Sequence, residues 1–513
     1  MKDETRTDIF ILQFSSFRFC LLLMEDLNEL QRQRLAKLQR IIDRGIDPYP
    51  PRSARTHSLA EALSIIEKSQ PDDKPQVTLA GRLMSVRVMG KAAFAHLQDG
   101  SGRLQIYVRK EDVGEAAYEL FKNDLDIGDF IEASGWLMRT KTGEPTLHAT
   151  ALKILSKTLR PLPEKWHGLK DTDTRYRQRY LDLIMNAEAR RTFLARTQIV
   201  SAMRRYLDAR GFIEVETPVL QPLYGGANAR PFVTHHHALD QEMYLRISDE
   251  LYLKRLIVGG FDRVYEISKD FRNEGIDTTH LPEFTMMECY AAYWDFADVM
   301  KLVEEMISTI AQAVLGTMKV EYQGQIADLT PPWQRITMRD AILNETDIDI
   351  MQFPDLPSLL KEAQRVGLKV ERKLSWGKLV EEIFGEYVER KLIQPTFIYE
   401  YPREVSPLAK KKPGDPRVVE RFEAFIAGAE SGNAFSELND PQDQRARFVE
   451  LAQVKEAGDA ETHPIDEDYI EALEHGMPPT GGLGLGIDRL VMLLTNQSAI
   501  REVVLFPSLR ARD

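Results

Sequence analysis

Three features of the 513-residue chain predict an α+β protein built in two parts. Short alternating runs punctuated by glycine crowd into residues 77–156, and from about 181 onward long helical patterns alternate with strand-like runs. At roughly 150 residues per domain, the length calls for two to four domains with a sizeable core. Lys plus Arg total 67 against 79 Asp plus Glu, a net charge of −12 with 43% apolar residues. That balance is ordinary for a globular chain and excludes wholesale electrostatic binding of nucleic acid, though not a local basic face. Cys20 and Cys289 are the only cysteines, so a disulfide framework and a four-cysteine zinc site are excluded, and a reducing, cytoplasmic setting is expected. No run approaches about 18 uninterrupted apolar residues, so no membrane partner is expected.

In chain order, residues 1–23 come first. Arg18 splits their two apolar runs, and Lys2-Asp3-Glu4 is not a basic leader. Periodicity begins only after Met24, so this segment is expected to be an over-extended start and disordered. Within residues 24–76, Leu27, Leu30, Leu35, Leu38 and Ile41 recur at near-helical spacing, with Arg32, Arg34, Lys37, Arg40 and Arg44 on the remainder. A solvated face on a packed helix and an RNA-facing role fit this pattern equally. Gly45 and the Pro-rich stretch at 48–51 end it.

Residues 77–83, 93–99, 104–108 and 130–137 read as strands around a helix at 111–123, which suits a five-stranded oligonucleotide-binding barrel over 77–156. Ten basic and ten acidic residues make that module neutral, whereas 157–180 carries a net +4 and reads as a basic linker. Phosphate binding needs such a patch, and a solvated linker looks the same. From 181 to 513 a helix at 187–210 ends at Gly211, a strand at 212–216 stops at Pro218, residues 301–394 are mostly helical, and strands return at 397–401.

Alternation at 264–272 and 282–292 around a turn-rich stretch, 273–280, predicts an antiparallel hairpin with a charged loop. Period two then places Phe284, Met286, Glu288 and Tyr290 on one face. A carboxylate there is costly to bury without a cation, so either a ligand ammonium or a structural ion pair is implied. Asn433, Phe435 and Glu437 repeat the logic on a second strand. Glu423 and Glu430 are seven apart: two helical turns, or neighbours on adjacent elements if the chain bends at Gly428. Carboxylates with Asn suit Mg²⁺, and an exposed acidic helix face is the plainer alternative. Near the end, Gly482, Gly484 and Gly486 fall at alternate positions before Asp488 and Arg489. The dinucleotide fingerprint is a poor fit here, since no βαβ half can follow. Alternate glycines instead let a ligand ring or a neighbouring backbone lie flat on a strand. His235, His236 and His237 are adjacent on a strand and cannot simply converge on a metal.

These segments resemble, in order, the three signature motifs of class II aminoacyl-tRNA synthetases: the helix with 211–218, then 271–274 through 280–285, then 482–489. Preceded by the barrel, and with 224–232 and 435–440, residues 25–513 are similar to bacterial lysyl-tRNA synthetases. The resemblance implies an antiparallel catalytic sheet, a homodimer built on the first motif, and lysine–tRNA ligase chemistry. Lysine and ATP give lysyl-adenylate and pyrophosphate, and the lysyl group then passes to the 3′ end of tRNA(Lys). Catalysis by Arg272, Glu274 and Arg489 is implied. Arg272 holds the α-phosphate and the lysine carboxylate, Glu274, His280 and Phe284 place adenine and phosphates, and Arg489 grips the γ-phosphate. Glu423 and Glu430 coordinate Mg²⁺, up to three ions per subunit. The lysine site is implied at Gly226, Glu250, Glu288, Tyr290, Asn433, Phe435 and Glu437, and the anticodon contacts at Phe94, Gln105 and Glu144. Ser248-Asp249 departs from the family pattern, which has a small residue and proline there.

The electrostatic expectation is a cavity whose negative lining is neutralised only when a doubly cationic substrate enters. Aspartyl and asparaginyl enzymes share the barrel and core but need cationic pockets. A ligase that lysylates a translation factor lacks the barrel, and a catalytically dead RNA-binding module would not keep Arg272, Glu274, Glu423, Glu430 and Arg489.

Overall fold

In a computed structural model, residues 27–70, 72–163, 169–369, 375–456 and 464–511 are described. The expectation for residues 1–23 lies outside them. The chain divides into two compact units, Met1–His167 and Gly168–Asp513.

In the first unit, helices α1 (Glu29–Asp43) and α2 (Leu59–Lys68) precede a closed barrel. Its strands are β1 (Gln76–Met89), β2 (Ala92–Gln98), β3 (Arg103–Arg109), β4 (Phe130–Arg139) and β5 (Pro145–Ser156), with α3 (Glu115–Asn123) between β3 and β4. The strand order is β1-β2-β3-β5-β4, and parallel pairing of β3 with β5 completes the closure. Alternation decides what faces in: Ala93, Ala95 and Leu97 of β2 enter the core, while Phe94 and His96 face out. The fifth strand, β5, was not among the four runs read from sequence.

The basic face of α1 serves the packed-helix reading. Arg34 donates to Thr158 and to the Ile127 carbonyl, Lys37 pairs with Asp126, and Arg40 and Arg44 share the buried Asp124. The basic stretch 157–180 is not one linker, because the division between units falls inside it. Lys157 is buried between Asp126 and Asp129, whereas Arg175 pairs with Asp182 and Glu502, Arg177 with Asp173, and the fully buried Arg179 with Asp182. Much of the expected patch is internal ion pairing.

In the second unit, α4 (Ala187–Asp208) ends before Gly211, whose φ of +78° is the left-handed turn the helix exit requires. The elements that follow are β6 (Ile213–Glu214), α5 (Glu250–Val258), β7 (Arg263–Phe271), β8 (Glu283–Ala292), α6 (Phe296–Leu315), β9 (Gln334–Thr337), α7 (Trp376–Tyr387), β10 (Thr396–Tyr399), β11 (Arg421–Ile426), β12 (Ala429–Ser436), β13 (Thr480–Gly486) and α8 (Ile487–Leu494). Eight strands form one sheet in the order β9-β10-β11-β12-β13-β8-β7-β6, antiparallel except for the two outermost pairs. Residues of α4, α6 and α8 join those of the central strands in one apolar core. Residues 301–394 are less helical than expected: they also hold a hairpin, Lys319–Tyr322 with Gln325–Asp328, and contribute the edge strand β9. Edge pairing is non-local, and the four residues of β9 are too few to display a period.

Candidate functional site

The glycine strand β13 explains why the sheet carries a cavity. It lies between β8 and β12, with Gly484 opposite both Glu288 and Asn433 and Gly482 opposite both Tyr290 and Phe435. Two strands with long side chains thus flank one that presents Gly482, Gly484 and Gly486 on that face, which opens a trough of about 980 Å³. Gly482 has no alternative, because a Cβ there would collide with Glu437 Oε1 and the Tyr290 ring. At Gly484 the nearest atom to such a Cβ is Met286 Cε at 3.3 Å, so this glycine keeps the platform open.

The trough gathers nearly every residue singled out from the sequence: Gly226, Glu250, Arg272, Glu274, His280, Phe284, Glu288, Tyr290, Glu430, Asn433, Phe435, Glu437 and Arg489. At one end the lining is acidic and buried. Glu288 accepts from Ser248 Oγ and from the Tyr290 hydroxyl, each at 2.9 Å. Burial, then the charges of Asp270 and Glu250, pushes Glu288 up to about 7. Burial also pushes Glu250 up and holds Glu437 well above the usual carboxylate range.

Here the structure corrects the expectation that only a substrate neutralises these acids. The fully buried Lys254 donates to Glu250 and pairs with Glu437 Oε2, and it sits 5.3 Å from the centre of the Phe435 ring. Burial alone would drive its proton off, but the two carboxylates outweigh that and hold the ammonium charged. Glu437 Oε1 is left with no hydrogen-bond partner. Glu250, Glu288 and Glu437 less one ammonium leave two negative charges at this end when all three acids are ionised. Lys254 was not foreseen; its signal was the i,i+4 spacing from Glu250 on a helix.

The other end is cationic and open. Arg272 stacks over Phe284 at 5.1 Å, and among the described residues its guanidinium donates only to the Ile247 carbonyl, at 3.4 and 3.5 Å, so it is loosely held. Arg489 donates to Glu430 Oε2 at 2.9 Å and to His280 Nε2 at 3.1 Å, while His280 Nδ1 bonds Asp277. Hydrogen bonds from His280 and from the Thr279 and His280 amides outweigh burial and lower Asp277 to about 2. Asp488, held by Arg196, accepts from the Thr285 amide and so ties α8 to β8 beside Arg489.

Glu423 and Glu430 lie on β11 and β12, joined through a turn at Gly428 (φ +74°), and the helical alternative is excluded. Glu430 lines the trough. Glu423 is set behind it, with Arg421 at 2.6 Å and the Tyr401 hydroxyl at 2.9 Å. Burial, then the like charge of Glu430, pushes Glu423 up to about 7, despite Arg421. That shortage of positive charge fits a divalent cation at the pair. Glu381 on α7 adds a third carboxylate that sequence reading missed, also pushed up by burial. The three adjacent histidines lie on the surface: His235 and His236 are exposed on the strand Val233–His236, and the exposed His237 follows it.

On the barrel, Phe94, Gln105 and Glu144 share one outer face. Phe94 packs on Tyr107 (4.8 Å between centroids), Tyr107 meets His148 edge-on, and His148 stacks on Trp136 at 4.0 Å. Alongside, His96 bonds Glu144 at 3.1 Å, and Gln105 accepts from Thr146 Oγ1 at 2.9 Å. Gln105 is buried rather than free on the surface. Tyr107, Trp136 and His148 were not singled out from the sequence, although their alternation with apolar residues was visible.

Comparisons with known proteins agree with this division. Residues 171–510 match a family model described as tRNA synthetases class II (D, K and N), and residues 77–155 match one described as OB-fold nucleic acid binding domain. Among curated proteins the chain is 56% identical to the lysine–tRNA ligase of Roseiflexus sp. (strain RS-1), covering 95% of this chain and 100% of that one. It is 57% identical to the lysine–tRNA ligase of Chloroflexus aurantiacus, over 95% and 99%, and 55% identical to that of Pelotomaculum thermopropionicum, over 95% and 96%.

Proposed function

The chain belongs to the class II tRNA synthetases and among them to the lysine–tRNA ligases, and from that membership we propose how its site activates L-lysine with ATP and charges tRNA(Lys). The observation that carries the residue assignment is the buried Glu437 Oε1, without a hydrogen-bond partner among the described residues, at a trough end where Glu250, Glu288 and Glu437 meet a single ammonium, Lys254. A lysine side chain brings one ammonium and its α-amino group a second, so Glu437 and Glu250 with Glu288 and Tyr290 match the two in number. Gly226 and Asn433 make neutral contacts, and Phe435 packs along the alkyl chain.

The first step needs no protein nucleophile: the lysine carboxylate attacks the α-phosphorus and pyrophosphate leaves. The protein's work is positioning and charge compensation. Arg272 bridges the carboxylate and the α-phosphate as a two-pronged donor. Phe284 and His280 hold the adenine side with Glu274, and Arg489 exchanges Glu430 for the γ-phosphate. Mg²⁺, held by Glu423 and Glu430, neutralises phosphate charge when bound. In the second step a terminal ribose hydroxyl of the tRNA takes the lysyl group, and AMP leaves.

Exposed Leu194 on α4 and exposed Ile213, Val219 and Leu220 beyond it support a homodimer through the first motif. Among the described residues no helix is long and apolar enough to cross a membrane, and the buried Cys289 is a free thiol. We place the enzyme in the cytoplasm.

The barrel face is the anticodon reader, with Phe94 as a stacking platform and Gln105 and Glu144 as polar contacts. Phe94→Ala is expected to lower tRNA charging by about ten- to a hundredfold, the loss of one stacked base. ATP–pyrophosphate exchange without tRNA should stay unchanged. Loss of both activities together would contradict the assignment.

Lysine binding should also be linked to protons. An ammonium needs Glu288 ionised, whereas burial holds it up to about 7 in the empty site, so lysine affinity rises with pH by up to about tenfold per unit below that value. For stability the sign is opposite. The folded state binds the proton more tightly than the unfolded chain, so this contribution is full below about 4.5 and lost as pH rises through about 7. The melting-temperature gain from saturating lysine should therefore grow across that interval. A gain that shrinks with pH would refute the linkage.

A further inference from the structure

Behind the acidic end of the trough stands a group that the lysine reading does not use. Asp249 is fully buried at the N-terminus of α5, makes no side-chain capping bond, and has no hydrogen-bond partner for either oxygen. One oxygen each of Asp249, Asp270 and Glu288 lies within 4.8 Å of the other two. Three carboxylates so close in a dry site do not all ionise, because each charge raises the cost of the next.

The neighbours decide which one keeps a proton. Asp270 on β7 has Arg246 Nε at 3.3 Å, Ser268 Oγ at 3.4 Å and the charge of Arg272. Glu266, also on β7, pairs with Arg246 at 2.7 Å. Glu288 on β8 accepts from Ser248 and Tyr290, and Glu250 on α5 is held by Lys254. Among the described residues Asp249 has no paired cation and no donor of its own. One of its oxygens lies within 4.8 Å of a Glu288 oxygen.

Resting on the assignment of Glu288 to a substrate ammonium, we propose that Asp249 is a positioning residue: a neutral carboxylic acid whose O–H donates to the Glu288 carboxylate and keeps it ionised and aimed at the substrate. Burial, then the charges of Glu288 and Asp270, pushes the Asp249 carboxyl well above its usual range, in the direction this requires. With Ser248 and Tyr290, Asp249 completes a set of three donors around one anion. A divalent cation in the same place would need Asp249 and Asp270 both ionised, although Arg246 and Arg272 already bring positive charge to Asp270.

Two substitutions separate a neutral donor from a charge. Asp249→Asn keeps an N–H donor without charge, and Asp249→Ala removes the donor. In ATP–pyrophosphate exchange near neutral pH, Asp249→Asn is expected to leave the lysine KM within about threefold, and Asp249→Ala to raise it about tenfold or more with the ATP KM unchanged. The substrate-free infrared difference spectrum, parent minus Asp249→Asn, should contain the C=O stretch of a protonated carboxyl. If Asp249→Asn is as damaging as Asp249→Ala, or if that band is missing, Asp249 is ionised and the proposal is overturned. A manganese ion bound by the parent and lost in Asp249→Asn would likewise overturn it. No effect of either variant on the lysine KM would deny the positioning role. Glu288→Gln tests the underlying assignment separately: an unchanged lysine KM there sinks the lysine reading, while the infrared band still reports the Asp249 proton.

Discussion

Glu437→Gln is expected to raise the lysine concentration needed for ATP–pyrophosphate exchange by about a hundredfold or more, and the ATP requirement by only a few fold. Glu437 has one oxygen on Lys254 and one without a partner, so a single substitution acts on both. The amide leaves a substrate ammonium facing a neutral group in a dry site, where an uncompensated charge costs about 3–5 kcal/mol. It also leaves Lys254 with Glu250 alone, so thermal unfolding of the variant must be followed alongside. An intact melting transition with a selective rise in the lysine KM identifies a binding defect. Equal rises for lysine and ATP would remove Glu437 from the lysine site.

The second large effect belongs to Arg272. Its guanidinium rests on Phe284 and makes only long contacts to one carbonyl, so it is free to turn toward a ligand. Arg272→Ala should cut exchange by about two to three orders of magnitude, the scale on which one preorganised donor to developing charge is valued. Arg272→Lys should recover little of this, since a point charge cannot span carboxylate and phosphate together. Far-ultraviolet circular dichroism should be unchanged for both. A loss under about tenfold would mean that Arg272 does not meet the reacting groups.

What could be read from the sequence followed how local the determining interactions are. The hairpin of β7 and β8 was legible because period two persists through both strands, and it put Phe284, Met286, Glu288 and Tyr290 on the trough side. The alternate glycines were legible as a platform, though not the reason Gly482 is required, because Glu437 and Tyr290 reach it from other strands. Glu423 and Glu430 were ambiguous, since a spacing of seven suits two helical turns as well as a tight turn, and only the positive φ at Gly428 separates them. Lys254 was missed for a different reason. Its pairing with Glu250 is helical and local, but its second partner, Glu437, is remote in sequence. The same holds for Asp249, whose isolation is a property of the packed core and not of its neighbours in sequence. On the barrel, the four named strands were local patterns, whereas the aromatic row from Phe94 to Trp136 exists only once β2, β3, β5 and β4 close.

Amino-acid-dependent ATP–pyrophosphate exchange, run on the full-length protein with each standard amino acid in turn, tests the acidic trough most directly. Lysine should support rapid exchange, and aspartate, asparagine and uncharged lysine analogues should support almost none. Exchange driven by aspartate or asparagine, or none with lysine, would contradict it.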